Sequence, residues 1–150
     1  MERNGRNWYW TRTSASRIGK YTASFEQSIM KKTLGDAGSN LFVLDVGGGD
    51  GQHARYVKKL GHSPVLLDPD SVPLEILLEK GTDIPAIRAS GLELPIRESV
   101  FDVVMTIEVS VCLSGKDDAN VKYFKDANRI LKKNGLFLAT TFNKTLISAI

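Results

Sequence analysis

A parallel α/β sheet covered by helices on both faces is the fold class this sequence predicts, and three observations carry it. Short apolar runs alternate with stretches of helical spacing. The first of these runs passes directly into a glycine cluster, and the chain's 150 residues hold one domain. Parallel strands need crossover connections, so strands alternating with helices imply a sheet buried on both sides. With 42% apolar and 25% charged residues, composition excludes a disordered or fibrous chain. A single cysteine, Cys112, excludes an intramolecular disulfide framework and suits a reducing compartment. No run approaches the roughly 18 apolar residues that span a bilayer. The most apolar one, Val100–Leu113, is broken by Asp102 and Glu108, and Met1–Arg6 leads into no signal core. A cytoplasmic protein without membrane contact is the expectation.

Residues 1–40 form an N-terminal helical extension. Ile18, Tyr21, Phe25, Ile29 and Leu34 recur at near-helical spacing, and the turn cluster Gly35–Asn40 ends the helix. Seven Lys/Arg against three acidic residues make this region basic, and Trp8, Tyr9 and Trp10 lie within it. Phosphate contact and base stacking would suit nucleic acid. A solvated helix face with packed aromatics is the better account. The domain proper, 41–150, opens with the buried strand Leu41–Leu44 and a helix over 51–60 closed by Gly61. Val65–Leu67 is a second strand, followed by a helix over 71–80 and Gly81, with Asp70 as its N-cap. Ala86–Arg88 is a weak third strand and Val100–Ile107 a strong fourth. A helix over 117–133 carries Val121, Phe124, Ala127, Ile130 and Leu131 on one face, with Asp117 and Asp118 complementing its N-terminal dipole. Asn134-Gly135 ends it, and Leu136–Phe142 is the fifth strand.

The chemistry-bearing segment is Val43-Leu44-Asp45-Val46-Gly47-Gly48-Gly49-Asp50-Gly51. A strand turning into a helix over closely spaced glycines lets backbone approach a ligand without Cβ obstruction. Gly49-x-Gly51-x-x-Ala54 formally satisfies a relaxed dinucleotide fingerprint. Asp45 and Asp50, however, would oppose a pyrophosphate at about 1–4 kcal/mol per close pair. They favour instead the cationic amino-acid end of S-adenosylmethionine, a sulfonium beside an ammonium. Asp68 ends the second strand about 20 residues on, where a carboxylate holds ribose hydroxyls.

Asp45-x-Gly47-x-Gly49-x-Gly51 followed by Asp68 resembles the class I S-adenosylmethionine-dependent methyltransferases. Ala89–Pro95 with Ser99–Val104, and Asn128–Leu136, extend the likeness in the same order, so that it covers residues 41–142. The branch it most resembles is the enzymes of ubiquinone and menaquinone biosynthesis. The resemblance implies a Rossmann-like sheet of order 3-2-1-4-5 and S-adenosylmethionine as cofactor. It puts Asp45, Gly47, Gly48, Gly49 and Gly51 against the methionine part, with Asp68 and Pro69 at the ribose. Ser90, Gly91 and Leu92 would lie beside the adenine, and Ile107 and Glu108 along the methyl-donor pocket. Two positions depart from the pattern: Ser90 stands where an aspartate is usual, and Cys112 where a histidine is often found. No Asn/Asp-Pro-Pro-aromatic motif follows strand four, which argues against methylation of adenine or glutamine amino groups.

The implied reaction is in-line methyl transfer to a small organic acceptor. Its leaving group is a neutral thioether, so positioning and water exclusion supply much of the catalysis and no dedicated base is required. No catalytic residue and no metal constellation stands out. Of the two imidazoles, His53 falls nearest the cofactor, His62 lies in a turn, and Cys112 reads as a small packed residue. In resembling proteins the N-terminal helical region lids the pocket, which implies Trp10, Arg12, Arg17 and Tyr21 as acceptor-side candidates. RNA methylation and a non-catalytic S-adenosylmethionine-binding module are the alternatives, with an NAD oxidoreductase behind them. The family's sheet has seven strands, whereas only Asn143–Ile150 follow strand five here. Strands six and seven are therefore expected to be absent. Leu136–Phe142 would then be an uncharged edge, open to homodimer pairing or to aggregation.

Overall fold

Which face of each strand is buried, and by which helix, decides where this molecule's polar groups end up. The computed structural model describes residues 16–79, 81–109 and 117–140. Helix α1 (Arg17–Ala37) leads into β1 (Phe42–Val46), α2 (Gln52–Lys59) and β2 (Ser63–Asp68). Then come α3 (Ser71–Glu79), β3 (Ala86–Arg88), β4 (Phe101–Thr106), α4 (Asp117–Ile130) and β5 (Leu131–Ala139). The strands pair in parallel in the order β3-β2-β1-β4-β5. Chain order reverses at β1, so a crevice opens at the carboxyl ends of β1 and β4, the switch point of an open α/β sheet.

Side chains alternate between the two faces. Val43, Leu66, Val103 and Met105 point toward α1, α2 and α3, where they meet Met30, Leu34, Val57, Leu74 and Leu77. Leu44, Val46, Val65, Leu67 and Val104 point the other way, onto Tyr123, Ala127 and Ile130 of α4. Each fully buried aliphatic side chain contributes about 1.5–3 kcal/mol. By the same alternation Asp45, paired in register with Leu66 and Met105, faces the α1/α2 layer.

Several boundaries differ from expectation. Helix α1 runs through Gly35, Asp36 and Ala37 and stops at Gly38, so the turn is shorter than the glycine cluster suggested. Its buried stripe is Glu26, Met30 and Leu34, whereas Ile18, Tyr21 and Phe25 are exposed. Ser16 caps it, accepting from the Gly19 amide at 2.9 Å. Helix α4 ends at Ile130, and Leu131–Lys133, expected as its last turn, already belong to β5. Leu131 pairs with Phe101 and Leu136 with Val103, and the extra residues bulge out with Asn134 at φ +64°. Asp102, which interrupts the apolar run, accepts the Phe42 amide at 2.9 Å and pairs with Lys132, which holds its pKa below the ordinary carboxylate value. Asp70 caps α3 as expected, accepting from the Val72 amide. Leu136–Ala139 lie on the edge strand, and Thr141 and Phe142 fall outside the described residues. Among the described residues no helix is long and apolar enough to cross a membrane.

Candidate functional site

The turn between β1 and α2 is fixed by backbone bonds and by contacts at three of its glycines. The Gly47 amide donates to Leu67 O at 2.7 Å, and the Gly51 amide to Gly48 O at 3.0 Å. A Cβ on Gly47 would strike Val109, one on Gly48 the Asp45 carboxylate, and one on Gly51 the Leu77 side chain at 2.4 Å. Those three glycines are demanded by packing. Gly49 differs: it holds φ +53°, and a Cβ there would meet nothing within 4 Å. Of the four, Gly49 is the one that offers bare backbone to open space.

Asp68 closes β2 with both carboxylate oxygens in use. Oδ2 accepts the Gly49 amide at 3.0 Å and Oδ1 the Asp70 amide at 2.9 Å. It therefore ties the glycine turn to the end of β2, and each oxygen keeps a lone pair for a further donor. Pro69 beside it is exposed. Gly91 is packed against the other side of the turn, since its Cβ would lie 3.0 Å from Val46 and 3.5 Å from the Tyr123 ring. Ser90 is exposed and its hydroxyl accepts from the Leu92 amide, while Leu92 is half-buried on the α4 side. The segment after β3 thus reaches the end of β1.

Asp45 and Asp50 depart from the expected pair of ligand-facing charges. Asp50 is matched by Arg55, 3.7 Å away. Asp45 is wholly buried beneath Gly48, and neither oxygen makes a full hydrogen bond, the Ala54 amide only leaning toward it. Burial lifts its pKa from 3.8 to about 6, against the pull of His53 and that amide, with the Asp68 charge adding to the rise.

His53 lies in the first turn of α2. Its Nε2 lies 3.2 Å from Oε2 of Glu26, and both side chains are nearly buried. Burial disfavours the imidazolium, but the Glu26 hydrogen bond and the charges of Asp45, Glu26 and Glu108 outweigh it, and the His53 pKa is raised. Glu108 stands just past β4 at φ +56°, with its amide donating to the Thr140 hydroxyl at 2.9 Å. Its pKa is raised by burial and then by the facing Glu26 carboxylate, with His53 opposing. Ile107 before it is buried. Glu26 was missed in the sequence. Its signal was the spacing Glu26–Met30–Leu34, an acidic residue in phase with two core positions. His62 is structural: its Nδ1 accepts the Leu41 amide. Tyr21 is exposed, as is Arg17, while Trp10, Arg12 and Cys112 lie outside the described residues. Among the described residues no three His, Cys, Asp or Glu side chains are grouped to hold a metal.

Comparison with known proteins identifies the family. A family model described as a methyltransferase domain matches residues 44–139. The chain is 33% identical over 121 residues to the ubiquinone/menaquinone biosynthesis C-methyltransferase of Laribacter hongkongensis, covering 75% of this chain and 48% of that protein. It is 28% identical over 112 residues to the ubiquinone biosynthesis O-methyltransferase of Pelagibacter ubique, covering 73% and 45%. It thus spans about half the length of the curated relatives it matches. The structure of the PH0226 protein from Pyrococcus horikoshii is similar at TM-score 0.73 and 20% identity, over 97% of this chain and 66% of that one. The CcbJ methyltransferase of Streptomyces caelestis is similar at TM-score 0.67 and 20% identity, over 76% and 48%. These structural likenesses carry the fold. Since the matched residues 44–139 run from β1 to the end of β5 and make up most of the chain, it belongs to the methyltransferase domain family, within the class I S-adenosylmethionine-dependent methyltransferases.

Proposed function

We propose that this chain binds S-adenosylmethionine over the carboxyl ends of β1 and β2, beside the crevice, and transfers its methyl group to a small organic acceptor by in-line displacement. The observation that carries this is Gly49, an open, left-handed glycine whose amide is pinned by Asp68. Bare backbone facing open space suits a ligand approaching along it. In this reading Gly47–Gly51 hold the methionine part, and Asp68 takes ribose hydroxyls on the lone pairs left by Gly49 and Asp70. Pro69 borders the ribose, and Ser90, Gly91 and Leu92 flank the adenine. Ile107 and Glu108 wall the methyl-donor end. When bound, the cofactor supplies an electrophilic methyl on a cationic sulfur. The chain's part is to orient the acceptor and exclude water.

Titration calorimetry with S-adenosylhomocysteine and NAD tests the proposal. Binding of S-adenosylhomocysteine and not NAD is expected, and binding of NAD alone would sink it. Salt-dependent binding of transfer RNA would move the acceptor from a small molecule to RNA. The edge strand β5 supports a second, separate proposal: pairing of two chains through Leu136–Ala139. Sedimentation over a range of concentrations decides it, a monomer throughout being the contrary result.

A further inference from the structure

Four non-glycine residues among those described hold a left-handed backbone, and their places in the fold differ. Asn40 and Ser99 lie in turns that enter β1 and β4, and Asn134 lies in the bulge toward the amino end of β5. Glu108, at φ +56°, stands past the carboxyl end of β4, where the crevice opens. For a glutamate this conformation crowds Cβ against the following carbonyl oxygen, and it persists only where neighbours impose it. The neighbour here is Thr140, directly after the edge strand. Its hydroxyl accepts the Glu108 amide at 2.9 Å, and its own amide donates to Thr106 O at 3.1 Å. Thr140 thus grips the chain on both sides of Ile107. Next comes Val109, whose methyl groups lie against Gly47: a Cβ on that glycine would fall 2.6 Å from Cγ2 and 3.2 Å from Cγ1. One chain of contacts therefore runs from the end of β5, through Glu108 and Val109, to the first glycine of the turn after β1.

We propose that Thr140 is a positioning residue for methyl transfer: by holding Glu108 left-handed it presses Val109 onto Gly47 and so fixes the wall at the methyl-donor end of the cofactor. The proposal rests on the cofactor reading above, which lays the methionine part along Gly47–Gly51. In-line displacement needs the transferred methyl held at one distance and direction from the acceptor. In that reading Asp68 and the glycine turn set where the ribose and the methionine part lie. The wall beside the methyl is a short length of chain after β4, and the Thr140 hydroxyl is what keeps its backbone from relaxing to an ordinary negative φ. With the Glu108 amide released, Val109 withdraws from Gly47 and that end of the site widens. The hydroxyl acts as an acceptor rather than as a shape. Valine fills nearly the same space as threonine but accepts no N–H, whereas serine keeps the acceptor and loses only a methyl.

The test is calorimetry on the full chain with S-adenosylhomocysteine, which carries the methionine part, and with adenosine, which lacks it. Hydrogen exchange at the Glu108 amide is followed alongside. Thr140→Val is expected to weaken S-adenosylhomocysteine about tenfold and adenosine less than about twofold, as loss of one hydrogen bond at the methionine end requires. The Glu108 amide should then exchange about tenfold faster or more. Thr140→Ser should bring affinity and exchange back to within about threefold of the wild type. Val109→Ala removes the methyl groups without touching the threonine, so it should weaken S-adenosylhomocysteine while leaving the Glu108 amide protected. Equal weakening of both ligands by Thr140→Val overturns the proposal, by making the threonine a support of the whole fold. Failure of serine to rescue overturns it as well, and so does wild-type affinity for S-adenosylhomocysteine in either Thr140→Val or Val109→Ala. If the wild-type chain binds neither ligand, the cofactor reading itself falls and takes the proposal with it.

Discussion

The two halves of the crevice are built on opposite principles. On the β2 side the polar groups are partnered: Asp68 takes two amides, Gly47 and Gly51 donate to carbonyls, and Asp50 is matched by Arg55. On the β4 side Asp45, Glu26 and Glu108 share one imidazole. The first half keeps its shape whatever it holds. The second is short of positive charge until something supplies it. Substitutions in the first half should therefore register as shape, and in the second as charge and pH dependence.

Gly51→Ala should have the largest effect. It adds a methyl 2.4 Å from Leu77 at a residue with φ +75°, combining overpacking with left-handed strain. A loss of about 3 kcal/mol in urea unfolding is expected. Gly49→Val sharpens the contrast within the same turn. Its side chain enters open space, so stability falls by only about 1 kcal/mol for the left-handed backbone. Affinity for S-adenosylhomocysteine should drop by about a hundredfold or more, and normal binding would show that nothing approaches that backbone. Asp68→Ala comes next, with a ten- to hundredfold loss of affinity from charge-assisted bonds of about 1.5–3 kcal/mol. Asp68→Asn, which keeps acceptors of similar shape, should recover part of it.

The smallest effect belongs to the charged half and is a slope. Asp45 titrates at about 6 in the folded chain against 3.8 ordinarily, so the folded state holds that proton more tightly. Stability then falls as pH rises from about 4 through 6. His53 adds a later loss, because a raised imidazole pKa stabilises below 6.5 and that stabilisation disappears as pH passes the folded value. Glu108 acts in the same sense as Asp45. The lowered pKa values of Asp83 and Asp102 work in the opposite direction, but only below the ordinary carboxylate value of 3.8. The urea midpoint should thus be higher at pH 5 than at pH 8, by about 1–2 kcal/mol in stability, and Asp45→Asn should shrink the difference. A wild-type chain equally stable at both would remove the buried charge from this account.

The glycine turn and Asp68 were legible in the sequence, as were Asp45, His53 and Glu108 of the charged half, but Glu26 was not, for a physical reason. Gly47–Gly51 and Asp68 belong to one strand–turn–helix–strand unit, so spacing along the chain reports spacing in the site. The charge half is assembled from four separate elements, and placing Glu26 required the correct rotation of α1. Ile18, Tyr21 and Phe25 drew the stripe onto a face that is in fact exposed. The end of α4 was misplaced for a related cause. Leu131 continues the helical period of Ala127 and Ile130, yet it is also the residue that pairs with Phe101.

Helix α4 passes into β5 without a linker, Ile130 being helical and Leu131 already paired, and the slack sits inside the strand as the bulge around Asn134. That arrangement works as a length adjuster. A residue inserted between Lys132 and Asn134 would enlarge a loop that is already unpaired, leaving Leu136–Ala139 aligned with Val103–Thr106. The same insertion after Leu136 would turn Phe137 from Tyr123 and Phe124 to the opposite face. Length variation in this chain should accordingly be tolerated before Gly135 and lethal to folding just after it.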